Sequence, residues 1–370
     1  MLLAVGLLVT AARLGWRFWT LLPGAAAVGV AVLAGAVWVN VAYGYYQTWP
    51  DAFADLSGAP LGGGPGAPVP VPAVAPRLAR QPVTLGHGRL VETQLGGAFT
   101  GIYRKALVWL PPQYDEPRYA RTRFPVLLLL HGDPGEARGF IYGMHVDSAA
   151  DDLVRTGRAA PYVIVMPTVW VGWHGQQCLD AARGPLDESY LTKDVPTAVQ
   201  EQFRVQAPGP HWAVAGLSEG GFCAVDLALR HPEELAGAAS LDGYYAPDVS
   251  RGLGWRLFRG NPAAQDAATP VALVRRWSLP AAPALWLMAG DRDKGDMQQL
   301  RDFTAAAAAV SPERVVVVRR GRHTTPSWRT ALPDLLVWAG QVVSGRPAPT
   351  GTLTLDVDGG SVPAPGQTGR

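Results

Sequence analysis

Between residues 124 and 320, short runs that are apolar at almost every position alternate with helix-like segments. The runs are FPVLLLLHG (124–132), YVIVMPTV (162–169), HWAVAGL (211–217), LAGAASLDG (235–243), APALWLMAG (282–290) and RVVVVRR (314–320). A strand with one wet face alternates apolar and polar residues, whereas FPVLLLLHG does not alternate, so it reads as buried on both faces. The intervening segments include DSAADDLVRTG (147–157), VPTAVQEQFRV (195–205), residues 219–230 ahead of Pro232, an alanine-rich stretch (297–310) and ALPDLLVWAGQVV (331–343). Strand and helix in repeated alternation imply an α/β fold, a mostly parallel sheet with helices on both faces. RLVETQL (89–95) and KALVWLPP (105–112) open it as a hairpin pair.

The ends differ in composition. No charge occurs from Phe18 to Pro50, and LLPGAAAVGVAVLAGAVWV (21–39) is apolar enough for a bilayer core of ~30 Å. Trp16, Phe18 and Trp19 precede it, and Trp38, Tyr43, Tyr45, Tyr46 and Trp49 follow, as at two membrane interfaces. The expectation is an N-terminal transmembrane helix at about 21–41 within a membrane region 1–50. Arg13 and Arg17 on one flank, with Asp51 and Asp55 on the other, place the rest outside the cytoplasm. A cleaved signal peptide competes with this reading, but no A-x-A-like site follows cleanly. Residues 51–82, rich in proline, glycine and alanine, read as a tether, 83–343 as one α/β domain, and 344–370 as a disordered tail.

Composition removes several function classes. With 32 basic and 30 acidic residues, the chain has no excess charge for a phosphate backbone, so no nucleic-acid partner is expected. Two cysteines form neither a disulfide-dense scaffold nor a cysteine-rich zinc module.

Chemistry concentrates at GLSEG, Gly216–Gly220, which fits G-x-S-x-G. The run HWAVA stands before it and EGGFCAVDLALR after it, giving the strand, turn and helix that such a motif needs. Ser218 is then a candidate nucleophile, and the small residues let strand and helix approach. A serine hydroxyl is a poor nucleophile near neutrality, so a base must lie within hydrogen-bond reach and a carboxylate must orient it. DRDKGD offers Asp291, Asp293 and Asp296 after one strand, and GRHTTPSW offers His323 after the next. Of seven histidines, His323 alone follows the last expected strand. Asp293 leads among the acids and Asp291 is second, because the loop must carry the carboxylate past the strand end. D-x-D does not continue as a calcium loop. Oxyanion donors would be the amide of Glu219 and one from HGDPG, where Pro134 has no N–H, leaving Asp133 or Gly132.

FPVLLLLHGDPGE, YVIVMPTVW, YLTKDVP, AGLSEGGFCAVDLALRHPE, LMAGDRD and GRHTTPSWRTAL together resemble the putative esterase family of α/β-hydrolases. That family includes esterase D, enterochelin and feruloyl esterases and the mycolyltransferases. The resemblance spans roughly residues 88–342, and its most specific parts are the Ser218 elbow and the element His323 to Trp328. It implies a serine esterase or acyltransferase with nucleophile Ser218, acid Asp293 and base His323. It further implies oxyanion amides at Asp133 and Glu219, and no metal or organic cofactor. The chain differs from mycolyltransferases in its apolar N-terminus and in having Glu219 where methionine is usual. In this fold Cys178 and Cys223 would lie near one another and form a candidate disulfide, the alternative being two buried thiols. Trp170, Trp173, Tyr244 and Tyr245 fall at or beside the catalytic edge, where they line an acyl pocket or pack the loops, and 244–281 would be a lid. The expected partner is a small-molecule or lipid or glycan ester, with the membrane reached through the N-terminal helix. A non-catalytic cell-surface binding domain on the same fold is the other reading.

Overall fold

The computed structural model describes residues 27–40, 49, 53, 87–169, 175–182, 184–278, 282–308, 310, 314–319, 321–346 and 351–355. In chain order its main elements are β1 (Arg89–Gly96), β2 (Tyr103–Leu110), β3 (Val126–Leu130), α1 (Val146–Arg155), β4 (Val163–Pro167), α2 (Val195–Gln202), β5 (Gly209–Leu217), α3 (Glu219–Arg230) and β6 (Leu235–Leu241). Three short helices follow, α4 (Leu253–Phe258), α5 (Pro262–Ala267) and α6 (Pro270–Arg275), then β7 (Ala284–Gly290), α7 (Lys294–Ala307), β8 (Arg314–Arg319), α8 (Thr325–Val343) and β9 (Gly351–Leu355).

The nine strands form one sheet in the order β1-β2-β4-β3-β5-β6-β7-β8-β9. The β1/β2 and β2/β4 pairs are antiparallel, and every later pair is parallel. Strand β3 explains the unbroken apolar run. Val126, Leu128 and Leu130 belong to one core cluster with Val225, Leu229 and Phe303, while Leu127 and Leu129 belong to a second with Leu332, Leu335 and Trp338. Successive side chains leave a strand on opposite faces, so a sheet covered on both sides needs leucine at every position. Helices α3 and α7 cover one face; α1 and α8 cover the other.

The topology locates the site. After β3 the chain steps outward to β4, then returns to the other side of β3 with β5, so the loops after β3 and β5 diverge and leave a crevice at the strands' carboxyl ends. Ser218 follows β5 directly. Between β6 and β7, helices α4 to α6 make the insertion expected at 244–281.

Residues 351–355, expected in a disordered tail, instead form β9, parallel to β8. Gly-Thr-Leu-Thr-Leu carries period-two alternation with β-branched residues inside a proline- and glycine-rich end, and composition over the whole tail hid it. Residues 27–40 are helical, with Val28, Val30, Val32, Leu33 and Trp38 exposed. Among the described residues no helix is long and apolar enough to cross a membrane. The rest of the span expected at about 21–41, and nearly all of the 51–82 tether, lie outside the described residues.

Candidate active site

The turn from β5 into α3 holds Ser218 at φ 54°, ψ −122°, a conformation costly for any residue with a side chain. Its neighbours fix that turn. A Cβ on Gly216 would lie 2.1 Å from the Gly220 carbonyl oxygen, and one on Gly220 would lie 2.1 Å from that of Leu130. On Gly221 it would meet Ser240 Oγ at 2.6 Å. Ser218 N–H donates to the Leu241 carbonyl at 2.9 Å, and the Ser218 carbonyl accepts from Gly221 and Phe222 N–H at 2.9 and 3.2 Å. Strand, turn and helix therefore approach until side chains no longer fit, and the serine is raised on the bend.

His323 Nε2 lies 2.9 Å from Ser218 Oγ, and His323 Nδ1 lies 2.8 Å from Asp296 Oδ2. With Nδ1–H donating to the carboxylate, Nε2 is the acceptor for the serine hydroxyl, the arrangement in which imidazole can take that proton. The carboxylate partner differs from the expectation of Asp293. Asp293 is the N-cap of α7, and its Oδ1 accepts from Gly295 N–H at 3.0 Å and Asp296 N–H at 3.2 Å. The reason is where the helix begins. The alanine-rich patterning begins at residue 297, but α7 starts at Lys294, which makes Asp293 the cap and turns Asp296, in the first helical turn, toward the histidine. Asp291 Oδ1 accepts from Gly321 N–H at 2.8 Å, tying the loop after β7 to the loop that carries His323.

Burial works against protonation of His323, but the hydrogen bond to Asp296 and the charges of Asp242, Asp296 and Asp293 outweigh it, and its pKa is raised. Asp242 was not among the sequence candidates. It follows β6 directly with φ 50°, its Oδ1 accepts from Gly290 N–H at 2.7 Å, and its Oδ2 accepts from Trp328 Nε1–H at 2.6 Å. Trp328 then stands edge-on to His323, ring centroids 5.0 Å apart. Burial pushes the Asp242 carboxyl up to about 6, against the pull of His323. No motif in SLDGYY marks it, and its place at a strand end does not by itself distinguish it.

The loop after β3 is held by His131. Its Nε2 accepts from Val169 N–H at 2.9 Å and its Nδ1 contacts the Gly132 carbonyl at 2.9 Å, so the ring is the neutral Nδ1–H tautomer; burial lowers its pKa to about 4. Asp133, next along, accepts from Gly175 N–H through Oδ2 at 2.7 Å. Gly132 itself lies against the elbow, where an added Cβ would come within 3.0 Å of Ser218 Cβ. Of the two candidate oxyanion residues, Glu219 follows Ser218 directly and Asp133 follows Gly132.

Cys178 and Cys223 are joined by a disulfide. Closing a 45-residue separation restricts the unfolded chain, and the double variant Cys178→Ala/Cys223→Ala is expected to lose up to about 4 kcal/mol. A lower urea midpoint at unchanged m-value checks this. Tyr244 stacks on Phe222 at 4.8 Å and its OH donates to Gln177 Oε1 at 3.3 Å, so it packs the site's wall. Tyr245 is buried and stacks on Phe303 at 4.3 Å. Trp170 and Trp173 lie outside the described residues. Asp293, Asp296 and His323 are close enough to share a cation, as are His231, Glu233 and Glu234. In the first set, His323 bonds to Ser218 and Asp296 Oδ2, and Asp293 Oδ1 accepts from helix amides. In the second, His231 contacts Glu188 at 2.8 Å and Glu234 pairs with Lys193 at 2.9 Å.

The family model described as "Putative esterase" matches residues 98–339. An uncharacterized protein of Corynebacterium glutamicum is 26% identical over 269 residues, which cover 68% of this chain and 61% of that protein. The chain thus spans about six tenths of that relative's length. Among solved structures, a ferulic acid esterase aligns with TM-score 0.61 at 22% identity, over 69% of this chain and 99% of its own. An S-formylglutathione hydrolase from Agrobacterium tumefaciens aligns with TM-score 0.58 at 20% identity, over 71% and 98%.

Proposed function

Since the chain belongs to the putative esterase family, with the α/β-hydrolase fold, we propose that it is a serine esterase whose nucleophile is Ser218. The observation that carries this reading is the continuous hydrogen-bonded line Ser218, His323, Asp296, ending on a strained turn at the sheet's carboxyl edge. Ser218 Oγ attacks the ester carbonyl while His323 Nε2 takes its proton. The tetrahedral oxyanion is held by the amides of Glu219 and Asp133, then collapses as the imidazolium returns the proton to the departing alkoxide. Asp296 holds the ring and stabilises its charged form. Water, activated by the same histidine, or an alcohol then receives the acyl group. Removing one oxyanion donor from such a site costs about 3 to 4 kcal/mol of transition-state stabilisation.

A fluorophosphonate probe is expected to label the folded protein and to leave Ser218→Ala unlabelled. A folded wild type that takes up no probe would favour the non-catalytic binding domain instead. Acyl acceptors are compared by turnover of chromogenic esters of increasing acyl length, with and without an added sugar. Transfer product in its presence identifies an acyltransferase, and free acid alone a hydrolase.

The domain is proposed to act outside the cytoplasm, anchored by the apolar segment at about 21–41. Charge asymmetry around that segment supports this reading, and so does the Cys178–Cys223 disulfide, since such bonds persist mainly in oxidising compartments. Protease added to intact cells is expected to release the domain by cutting within 51–82; resistance of that stretch would reverse the orientation.

A further inference from the structure

The carboxyl groups of Asp133 and Glu219 both turn to one loop, and the proposed mechanism assigns their backbone amides the task of holding the oxyanion. Glu219 is buried at 6% exposure, and its Oε1 accepts from Gln177 N–H at 3.1 Å. Asp133 Oδ2 accepts from Gly175 N–H at 2.7 Å. One short loop, residues 175–178, thus bonds to the side chains of both residues.

Other contacts make the loop stiff. Cys178 is bonded to Cys223, one helical turn beyond Glu219 on α3. Gln177 Nε2 donates to the Asp248 carbonyl at 2.8 Å, and Gln177 Oε1 accepts from Asp248 N–H at 2.7 Å and from Tyr244 OH at 3.3 Å. Leu253 of α4 presses so near Gly175 that an added Cβ would come within 2.8 Å of it. Gln177 and Cys178 hold left-handed backbone, φ 56° and 54°, which costs free energy in non-glycine residues and persists where surroundings enforce it.

We propose that Glu219 is a positioning residue for the oxyanion site: its carboxyl latches the first turn of α3 to the 175–178 loop, whose other end holds Asp133. The two amides are then spaced by one rigid assembly and not by two independent loops. The inference rests on the reading of Ser218 as nucleophile and goes beyond it, because it gives the elbow's variable residue a task for its side chain.

The latch is sensitive to pH through the groups that surround it. Burial, then the charge of Asp133, raise Glu219 to about 8, with Asp187 and Asp248 adding to the effect and the Gln177 N–H opposing it. Tyr244 faces the same space, and burial keeps its hydroxyl neutral, so it supplies a hydrogen bond and no charge. Below about 8, Glu219 is the neutral acid. Above it, Glu219 gains a charge beside Asp133, and the loop that both hold is the element that yields.

Glu219→Ala and Glu219→Gln are compared with wild type by kcat and KM on a chromogenic ester through the neutral and alkaline range. Amide hydrogen exchange of residues 175–182, corrected for intrinsic rate, is measured alongside. Glu219→Ala is expected to lose about 10²-fold in kcat, the effect of an ångström-scale misplacement, with KM little changed and exchange in the loop faster. Glu219→Gln is expected to recover most of that kcat and of the protection, and to lack the wild-type fall above about 8. A Glu219→Ala variant with wild-type kcat, or a Glu219→Gln variant that keeps the alkaline fall, would overturn the proposal. Wild type that turns over no ester would instead remove the nucleophile reading; the exchange data then decide the latch alone, and unchanged protection in Glu219→Ala sinks it.

Discussion

Ser218→Ala is expected to lower kcat on a simple ester by about 10⁶-fold, and His323→Ala by a similar factor, with the double variant hardly worse than either. The non-additivity follows from the geometry. In the proposed mechanism every proton that His323 Nε2 moves belongs to making or breaking the acyl group on Ser218 Oγ, 2.9 Å away, so deleting either partner removes the same route. What survives is whatever the oxyanion amides and the binding of the ester supply to attack by water. Folding should be nearly untouched in Ser218→Ala, because Ser218 is held by backbone bonds to Leu241, Gly221 and Phe222 and its side chain fills no core position. Equal denaturation midpoints with a collapsed kcat are the expected pair of results. A Ser218→Ala enzyme that kept more than a few per cent of turnover would show that the hydroxyl is not the nucleophile.

Residues whose role is set by immediate neighbours were readable in the chain; those set by tertiary placement were not. β3 announced itself because a strand covered by helices on both faces has no polar position, and VLLLL has none. Ser218 and His323 were readable because a strand had to end just before each of them. Asp242 was invisible for the opposite reason. Its partners, Gly290 and Trp328, come from β7 and α8, and a lone aspartate at a strand end looks the same whether it is solvated or bridges two elements. β9 escaped because five alternating residues sit in a tail whose composition argues for disorder. The carboxylate that meets His323 lies three residues beyond the expected one, since three carboxylates within six positions can be separated only by knowing where the helix starts.

Exchanging the acids separates the two assignments by a wide margin. Asp296→Asn is expected to lower kcat by about 10³ to 10⁴, because an amide can stabilise the wrong tautomer of His323 and cannot offset the charge of the imidazolium. Asp293→Asn should retain most activity, since an asparagine oxygen can still accept from Gly295 and Asp296 N–H and keep the α7 cap. Asp293→Ala loses that cap and should cost about 1 kcal/mol of stability, seen as a lower urea midpoint. The pH profile gives an independent reading. The carboxylates raise the His323 pKa, and the base works only when neutral, so the acid limb of kcat/KM lies at the raised value. Removing the Asp296 charge weakens that elevation, and the limb of the residual activity moves to lower pH. Part of the elevation persists through Asp242 and Asp293. A larger kcat loss in Asp293→Asn than in Asp296→Asn would return the role to the cap residue and mean that His323 changes partner during turnover.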